Sequence, residues 1–385
     1  MENNSTPWQI PLETRKCEAE AALGNGKKLA IILYSDVDLS SSFRYRAYNI
    51  YQQTKKSDKW QLIYFFENEL ESVREFLSET TIFIFGRIPK WKPCYDELAL
   101  EAKSLGIKIV YDLDDCVCGT RYVKNMFNVV SPDTIDQDYW IATSANFELF
   151  SYLVDGFIVT NDYLGEILSK SHDNKPYRVI KNFLNEEQVE YSNNLLDNFG
   201  KINPQNFTIG YFSGSHTHAT DFEVVYPELL QLLRDYPDIH LRIVGMLKLP
   251  DSAKEYLESG QIEYEEMVDF LTLEKLISEV DVNIAPLADN VFANCKSELK
   301  FFEASLVNVP TAASPSFSFK KAIKNKKTGF LCQPGEWYNT IFELYRSEKL
   351  CQEIAKAAHE YCIKNYTGNT CLKQIEETYN FYGTR

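Results

Sequence analysis

The chain has 385 residues, which is longer than one ordinary hydrophobic core supports and predicts two domains. Hydrophobic residues make up 44% of the sequence, enough for globular packing. A formal net charge of −15 excludes a protein that holds nucleic acid over its whole surface, because that requires a net positive field. Any site for an anion must therefore be local.

The sequence contains no targeting or metal-binding motif of a familiar kind. No run of 18 or more apolar residues occurs, and the first 26 residues lack the apolar core of a signal peptide. We therefore expect a cytoplasmic protein. Nine cysteines occur without a CxxC pair, which gives no support to a zinc or thioredoxin-type site.

Apolar runs alternate with helical segments along both halves of the chain, which is typical of βαβ units and parallel sheets. In the first half the runs are KKLAIILYS, WQLIYFF, TIFIFG, IKIVYDL, DGFIVT and YRVIKNF. In the second half they are FTIGYFS, HLRIVG, IEY, VNIAPL, VPTAAS and GFLC. The pattern predicts an α/β fold of two Rossmann-like domains whose sheets face each other across a cleft.

The predicted boundary lies in the polar, Asn-rich stretch 185–206, where no period is clear beyond one helix. We assign residues 1–26 to a flexible tail or short helix, 27–190 to the N-terminal domain and 205–365 to the C-terminal domain. The last part of the chain predicts three helices, and we expect the one at 366–385 to return to the N-terminal domain.

The segment NCKSELKFFEASLVNVPTAAS, residues 294–314, predicts a loop, a helix from about Glu298 and a short strand. Ser297 is placed to cap the helix, whose first turn then attracts an anion. Lys296 and Lys300 lie four residues apart, and Glu303 lies one turn further on, so all three share a face. Two ammonium groups suit a diphosphate and the carboxylate suits a pair of sugar hydroxyls.

A second interpretation of the same segment remains open at this point. Charged residues at this spacing decorate many surface helices, and Leu299, Phe302 and Leu306 would then form the buried face.

The second half resembles the GT-B glycosyltransferases, and within them family 4, also called group 1. The resemblance is carried by IGYFSGSHTHATDF, HLRIVG, VDVNIAPL, KSELKFFEASLVNVPTAAS and GFLC, over about residues 205–335. SSSFRYR, FIFGR and VYDLDD in the first half are similar to loop positions of the same group.

The resemblance implies that Glu303 binds the ribose of a nucleotide sugar. The family's first glutamate, which touches the donor sugar, is replaced here by Cys295, so Glu298 or backbone amides near Asn294 would have to substitute. The Arg and Lys that the family carries after the first strand of this domain are also missing, which leaves the diphosphate to Lys296 and Lys300.

The loop after that strand contains further candidates for contact with the donor. Ser213, Gly214 and Ser215 follow a buried strand, and the glycine allows the backbone to approach a phosphate or sugar. His216 could bind phosphate, while a purely structural role for the histidines of this loop stays open.

Three aspartates, Asp112, Asp114 and Asp115, end a strand of the first half. Paired carboxylates could hold a divalent ion beside a diphosphate, whereas the GT-B resemblance implies a metal-independent reaction. Asp114 and Asp115 are alternatively catalytic residues that orient the acceptor or act as a base, or simple caps of the strand end.

Arg44, Arg46 and Arg87 follow the first and third strands. Their guanidinium groups could reach a donor diphosphate or an anionic acceptor, and we include Arg44 and Lys300 among the catalytic candidates. Since Arg44 and Arg46 are two residues apart on a helix, one of them is expected to be structural.

We therefore expect a hexosyltransferase that needs no cofactor besides its co-substrate, a UDP-, GDP- or dTDP-linked sugar. The acceptor would be a glycan or lipid-linked glycan, the pathway surface polysaccharide or glycoconjugate synthesis, and the resemblance implies retention of configuration. An epimerase of the same fold and a silent glycan-binding partner are the alternatives. The five lysines between Phe319 and Lys327 fit either a solvated helix face or peripheral contact with the inner face of a membrane.

Overall fold

The computed structural model describes residues 6–35, 41–123, 137–198, 206–214 and 219–384. Within these residues it contains two six-stranded sheets, and the strands of both sheets pair in parallel. The predicted α/β fold with two Rossmann-like sheets is confirmed.

The first sheet has the order β2-β1-β3-β4-β5-β6. Its central strands are almost entirely buried, as expected for apolar strands that carry helices on both faces. The strands are β1 (Lys28–Tyr34), β2 (Trp60–Phe66), β3 (Thr80–Gly86), β4 (Lys108–Leu113), β5 (Gly156–Val159) and β6 (Tyr177–Val179).

The helices of this half connect these strands or pack against them. Between β1 and β2 a π-helical segment, Arg44–Tyr48, interrupts the helix that joins them. The helices are α1 (Leu12–Gly24), α2 (Ser41–Phe43), α3 (Asn49–Thr54), α4 (Leu70–Leu77), α5 (Pro93–Ser104), α6 (Gln137–Ser151), α7 (Asp162–Ser171) and α8 (Glu186–Asn198).

The second sheet has the order β9-β8-β7-β10-β11-β12, which is the strand order of the Rossmann fold. The strands are β7 (Phe207–Ser213), β8 (Ile239–Gly245), β9 (Ile262–Glu265), β10 (Val282–Ala285), β11 (Thr311–Ala313) and β12 (Phe330–Leu331). The order reverses between β7 and β10, and their carboxyl ends therefore flank the crevice where such sheets bind ligands.

The helices of the second half alternate with its strands. Residues 219–235 form two helices rather than one, because Pro227 lies in the first turn of the second. The helices are α9 (Ala219–Glu223), α10 (Tyr226–Asp235), α11 (Lys254–Ser259), α12 (Phe270–Ser278), α13 (Val291–Cys295), α14 (Leu299–Leu306), α15 (Phe317–Ala322), α16 (Trp337–Tyr345), α17 (Glu348–Tyr366) and α18 (Gly368–Tyr382).

Of the two alternatives for the N-terminal segment, a flexible tail or a short helix, residues 12–24 form the helix α1, which packs against the first sheet. Arg15 is buried, ion-paired with Glu69 at 2.6 Å and stacked over the ring of Tyr64 at 4.7 Å. A buried arginine requires such partners, and they fix the helix on the sheet.

The last helix, α18, lies against the first domain rather than the second. Trp60 on β2 donates its indole N–H to Asn380 at 2.9 Å, and its ring meets Tyr379 edge to face. The hydroxyl of Tyr382 donates to the carbonyl of Phe157 on β5 at 2.8 Å. The chain therefore crosses between the domains twice, at α8 and again at Thr367.

We predict that Tyr379→Ala lowers the free energy of unfolding by about 3–5 kcal/mol, since it removes a fully buried ring that packs on Trp60. Urea unfolding measures this loss. Lys373→Ala on the same helix is the control: its side chain is 78% exposed, so the change should stay within about 0.5 kcal/mol. Equal stability of the two variants would show that α18 does not contribute to the core of the first domain.

Candidate functional site

A cavity of about 510 Å³ opens between the carboxyl edges of the two sheets. The strand order of each sheet reverses here, between β1 and β3 in the first sheet and between β7 and β10 in the second. The loops after these four strands supply Ser42, Arg87, Gly214 and Leu287 to its wall. The topology thus places one concave site between the domains.

The ammonium group of Lys300 is buried at this cavity and has no hydrogen-bond partner among the described residues. Its Nζ lies 4.6 Å from the centre of the Tyr211 ring. Burial lowers the pKa of Lys300 to about 8, and the charge of Lys296 acts in the same direction, while Asp221 and Glu303 oppose both. A buried cation without a partner is costly, and an anionic ligand would relieve that cost.

Lys296 lines the same cavity but already has a carboxylate partner. Its Nζ lies 3.3 Å from Asp221, which is itself buried and also accepts the backbone N–H of Ala288 at 2.9 Å. The pair leaves Lys296 on the wall with its charge partly balanced.

Glu303 connects the two domains across the cavity. Its carboxylate accepts the hydroxyl of Tyr45 at 2.5 Å and lies 3.5 Å from Nη2 of Arg44. The other terminal nitrogen of Arg44, Nη1, is buried without a hydrogen-bond partner in the described parts of the chain. Arg44 and Lys300 therefore both present unsatisfied N–H groups at one cavity.

A second carboxyl group, Glu274 on α12, lies close to this cluster. Burial raises its pKa well above the usual range, and the neighbouring Glu303 acts in the same direction. One of its oxygens accepts the side-chain amide of Gln188 at 2.8 Å. Gln188 and Arg44 oppose this shift.

Part of the cavity wall is apolar. Phe212, Val244, Val268, Leu273 and Ile277 line it and belong to one hydrophobic cluster of the second domain. This wall suits a flat, weakly polar group such as a nucleobase.

Gly245 also borders the cavity, at the end of β8. It has a φ of 107°, and a Cβ atom there would lie 1.9 Å from the carbonyl oxygen of Ser213. Only glycine permits this close approach of the loops after β7 and β8.

On the first domain, Asp114 and Asp115 both line the cavity. Asp114 accepts the hydroxyl of Ser42 at 2.5 Å and a guanidinium N–H of Arg87 at 3.0 Å. Burial raises the pKa of Asp115, while Arg87 and Lys296 oppose that shift. Arg87 itself has an uncommon φ of 46°, and its guanidinium group interacts electrostatically with both aspartates.

The structure corrects two details of the 294–314 segment. Ser297 is not the helix cap: α14 begins at Leu299 after Glu298, and the Ser297 hydroxyl accepts the amide of Asn182 at 3.0 Å instead. Glu298 does not line the cavity, because it is buried against the hydroxyl of Tyr366 at 2.8 Å. Because its carboxylate binds Tyr366 at the end of α17, Glu298 does not reach the cavity and cannot take the place of the family's first glutamate.

Arg46 and Asp112 are also not cavity residues. The π-helical turn points Arg46 into the first sheet, where its Nε and Nη2 each donate to Asp112 at 2.8 Å and Nη1 donates to Asn182. Both side chains are buried. The prediction that Arg46 contacts the acceptor or diphosphate is wrong, because a neighbouring carboxylate already uses its donors.

The remaining candidates divide between the cavity and positions outside it. Ser213 and Gly214 line the wall, and the Ser213 hydroxyl donates to the carbonyl of Met246 at 3.1 Å. Ser215 and His216 lie outside the described residues. Cys295 is fully buried and does not border the cavity.

Sequence reasoning missed much of the wall, including three side chains with polar or aromatic groups: Tyr45, Asn182 and Trp140. Tyr45 and Asn182 follow strands β1 and β6, so the rule that ligands gather at carboxyl ends could have found them. Trp140 lies in α6, where nothing in the sequence pattern distinguished it.

Two general findings bear on cofactors and location. Among the described residues, no group of three or more His, Cys, Asp or Glu side chains is arranged to hold a metal ion. None of the described helices is both long and apolar enough to cross a membrane.

Comparison with known proteins identifies a domain and a fold. Residues 206–347 match the model of the family described as glycosyl transferases group 1. No curated protein matches the chain in sequence.

Several solved structures share the arrangement of both domains. Anabaena Alr3699/HepE, solved with UDP and glucose, is 14% identical with a TM-score of 0.59, over 92% of this chain and 100% of that one. Sucrose-phosphate synthase from Thermosynechococcus elongatus is 13% identical with a TM-score of 0.62, over 92% and 99%. A TarM mutant of S. aureus, solved with Fondaparinux, alpha-GlcNAc-glycerol and UDP, is 14% identical with a TM-score of 0.54, over 79% and 56%.

We predict that Arg46→Leu lowers the free energy of unfolding by about 3–5 kcal/mol, because it leaves Asp112 buried without its counter-charge. Thermal and urea unfolding measure the loss. The double variant Arg46→Met, Asp112→Leu should recover most of it, since replacing both members of a buried pair is often nearly neutral. A stable Arg46→Leu protein with altered nucleotide affinity would return Arg46 to the binding site.

Proposed function

We propose that the protein is a glycosyltransferase that transfers a sugar from a UDP-linked donor to a hydroxyl of a glycan or lipid-linked glycan. The match of its second domain to the glycosyl transferases group 1 model and the similarity of its fold to solved GT-B structures support this proposal. The solved relatives that carry UDP, glucose or UDP-glucose support the choice of a uridine nucleotide.

The observation that carries this proposal is the buried, unpartnered ammonium of Lys300 at the interdomain cavity. A diphosphate in the cavity would supply the missing counter-charge, with Lys296 beside it and Arg44 offering an unused N–H from the opposite domain. As the glycosidic bond breaks, negative charge grows on the departing diphosphate. Fixed cations then stabilise the transition state more than the ground state.

Other surfaces of the cavity are suited to the base and the ribose of the nucleotide. The apolar surface around Val244 and Ile277 suits the base, and Glu303 can accept two ribose hydroxyls. In the structure Tyr45 and Arg44 hold Glu303, so binding would exchange these contacts for hydroxyls of the ligand.

We assign the acceptor to the first domain, opposite the donor. Asp114 already accepts hydrogen bonds from Ser42 and Arg87, which suits an orienting group better than a free base. We propose that the reaction retains the configuration of the transferred sugar, as the resemblance to family 4 implies; a role for Asp115 as a general base would favour inversion instead.

Calorimetry with UDP, GDP, dTDP, ADP and CMP tests the donor class. UDP should bind most tightly, and incubation with UDP-sugars and a mixture of glycans should release UDP together with a lengthened glycan. Turnover of a UDP-sugar without any acceptor product would favour an epimerase, and absence of nucleotide binding would remove the proposal.

We predict that Glu303→Gln weakens UDP binding by about 10–100-fold, because each hydrogen bond to the charged carboxylate is worth about 1.5–3 kcal/mol. Glutamine preserves the shape and one acceptor, so the fold is retained. Calorimetry measures the affinity, and thermal unfolding verifies the fold. An unchanged dissociation constant would place the ribose elsewhere.

We predict that UDP affinity falls as the pH rises above about 8, by up to about tenfold per pH unit. The pKa of Lys300 is lowered to about 8 in the free protein, and only its charged form attracts the diphosphate. Measurements above about pH 7 keep the terminal phosphate ionised. Lys300→Gln should bind more weakly and show no such decline; an identical profile in this variant would assign the titration to another group.

A further inference from the structure

Three aromatic side chains form a row that leads out of the cavity along the first domain. Trp140 lines the cavity, and the ring of Tyr139 lies 5.8 Å from it. The ring of Trp91 lies a further 6.1 Å from Tyr139. Tyr139 and Trp91 are 51% and 50% exposed, so much of their ring surface faces solvent.

The row is built on fixed backbone at the carboxyl edge of the first sheet. Trp91 lies between β3 and α5, and Tyr139 and Trp140 lie in the first turn of α6. The N–H of Lys90 donates to the carbonyl of Asn146 on α6 at 3.2 Å, which ties the two segments together. This hydrogen bond and the ring contacts place Trp91 beside α6 in the structure.

Neighbouring exposed aromatic rings at the rim of a cavity indicate a binding surface, because monomeric proteins rarely expose contiguous apolar patches. A pyranose ring has an apolar C–H face and a rim of hydroxyl groups. Trp and Tyr side chains match that face, and the adjacent polar groups of Arg87 and Asp114 at the cavity match hydroxyls.

We propose that Trp91 and Tyr139, continuing from Trp140, bind successive sugar rings of an oligosaccharide acceptor. This inference rests on the proposed transferase function, since the reacting hydroxyl would enter the cavity beside Trp140 while the preceding sugars stack along the row. The substrate class is then an oligosaccharide of at least two residues rather than a single sugar.

The charges around the row favour a glycan over an anionic membrane. Lys90 is paired with Asp96 at 3.3 Å, and Lys92 is paired with Glu67. Binding to anionic lipids needs cations available to the headgroups, whereas these two lysines are balanced by carboxylates. Neutral sugar rings have no such requirement.

The test uses Trp91→Ala and Tyr139→Ala with Leu105→Ala as the matched control. Leu105 is 49% exposed, and it precedes β4, at the amino edge of the sheet away from the cavity. All three changes remove a half-exposed apolar side chain, and the fold should survive in each. Thermal unfolding verifies this.

The full-length wild type is applied to an array of neutral oligosaccharides, and the dissociation constant of each variant is measured for the glycans that bind. We expect binding about five- to tenfold weaker in Trp91→Ala and Tyr139→Ala, with the control unchanged. In transfer assays the KM for the glycan should rise while the affinity for UDP stays the same.

Two results would overturn the inference. One is a wild type that binds no oligosaccharide, and the other is glycan binding by the aromatic variants equal to that of Leu105→Ala. Co-sedimentation with phosphatidylglycerol vesicles that is lost in Trp91→Ala, while glycan binding persists, would show a membrane contact and overturn it as well. Loss of the proposed function itself is distinct, because it appears as failure of the wild type to bind UDP.

Discussion

The buried ammonium of Lys300 is the constraint around which the cleft is arranged. Removing a charge from water is costly. Although the protein is strongly acidic, none of its described residues forms a hydrogen bond with the Lys300 ammonium group. Asp221 and Glu303 favour its charged form from a distance, while Lys296 and burial disfavour it. The balance leaves an ammonium group with a pKa of about 8, and the diphosphate proposed to bind there would favour its charged form.

Polar side chains of the two domains also satisfy each other across the cleft. Glu303 on the second domain takes Tyr45 and Arg44 of the first as partners, and Asn182 of the first domain donates to Ser297 of the second. These contacts satisfy polar groups that a nucleotide sugar would otherwise engage. In the free protein, Glu303 and Ser297 are thus satisfied by side chains of the other domain, while Lys300 and Nη1 of Arg44 stay without a hydrogen-bond partner among the described residues.

Much of the fold could be predicted from the sequence, because apolar runs of strand length between helical segments leave few other arrangements. The position of Lys296, Lys300 and Glu303 at one cavity also followed from their spacing. The predictions that were wrong concerned side chains whose positions depend on tertiary contacts. The local sequence does not reveal that the π-helical turn directs Arg46 into the sheet, where it pairs with Asp112. It also does not reveal that Tyr366, far along the chain, forms a hydrogen bond with Glu298. Trp140 likewise gained its place from packing alone.

The double passage of the chain between the domains has a mechanical consequence. The chain connects the two domains at two places, at α8 and at Thr367, and the sheets of these domains face each other. Bodies tied at two points cannot slide freely or separate; they can swing about the line between the ties. A widening of the crevice is therefore expected to occur mainly by rotation about this line, and a stiffer backbone at Thr367 would oppose it.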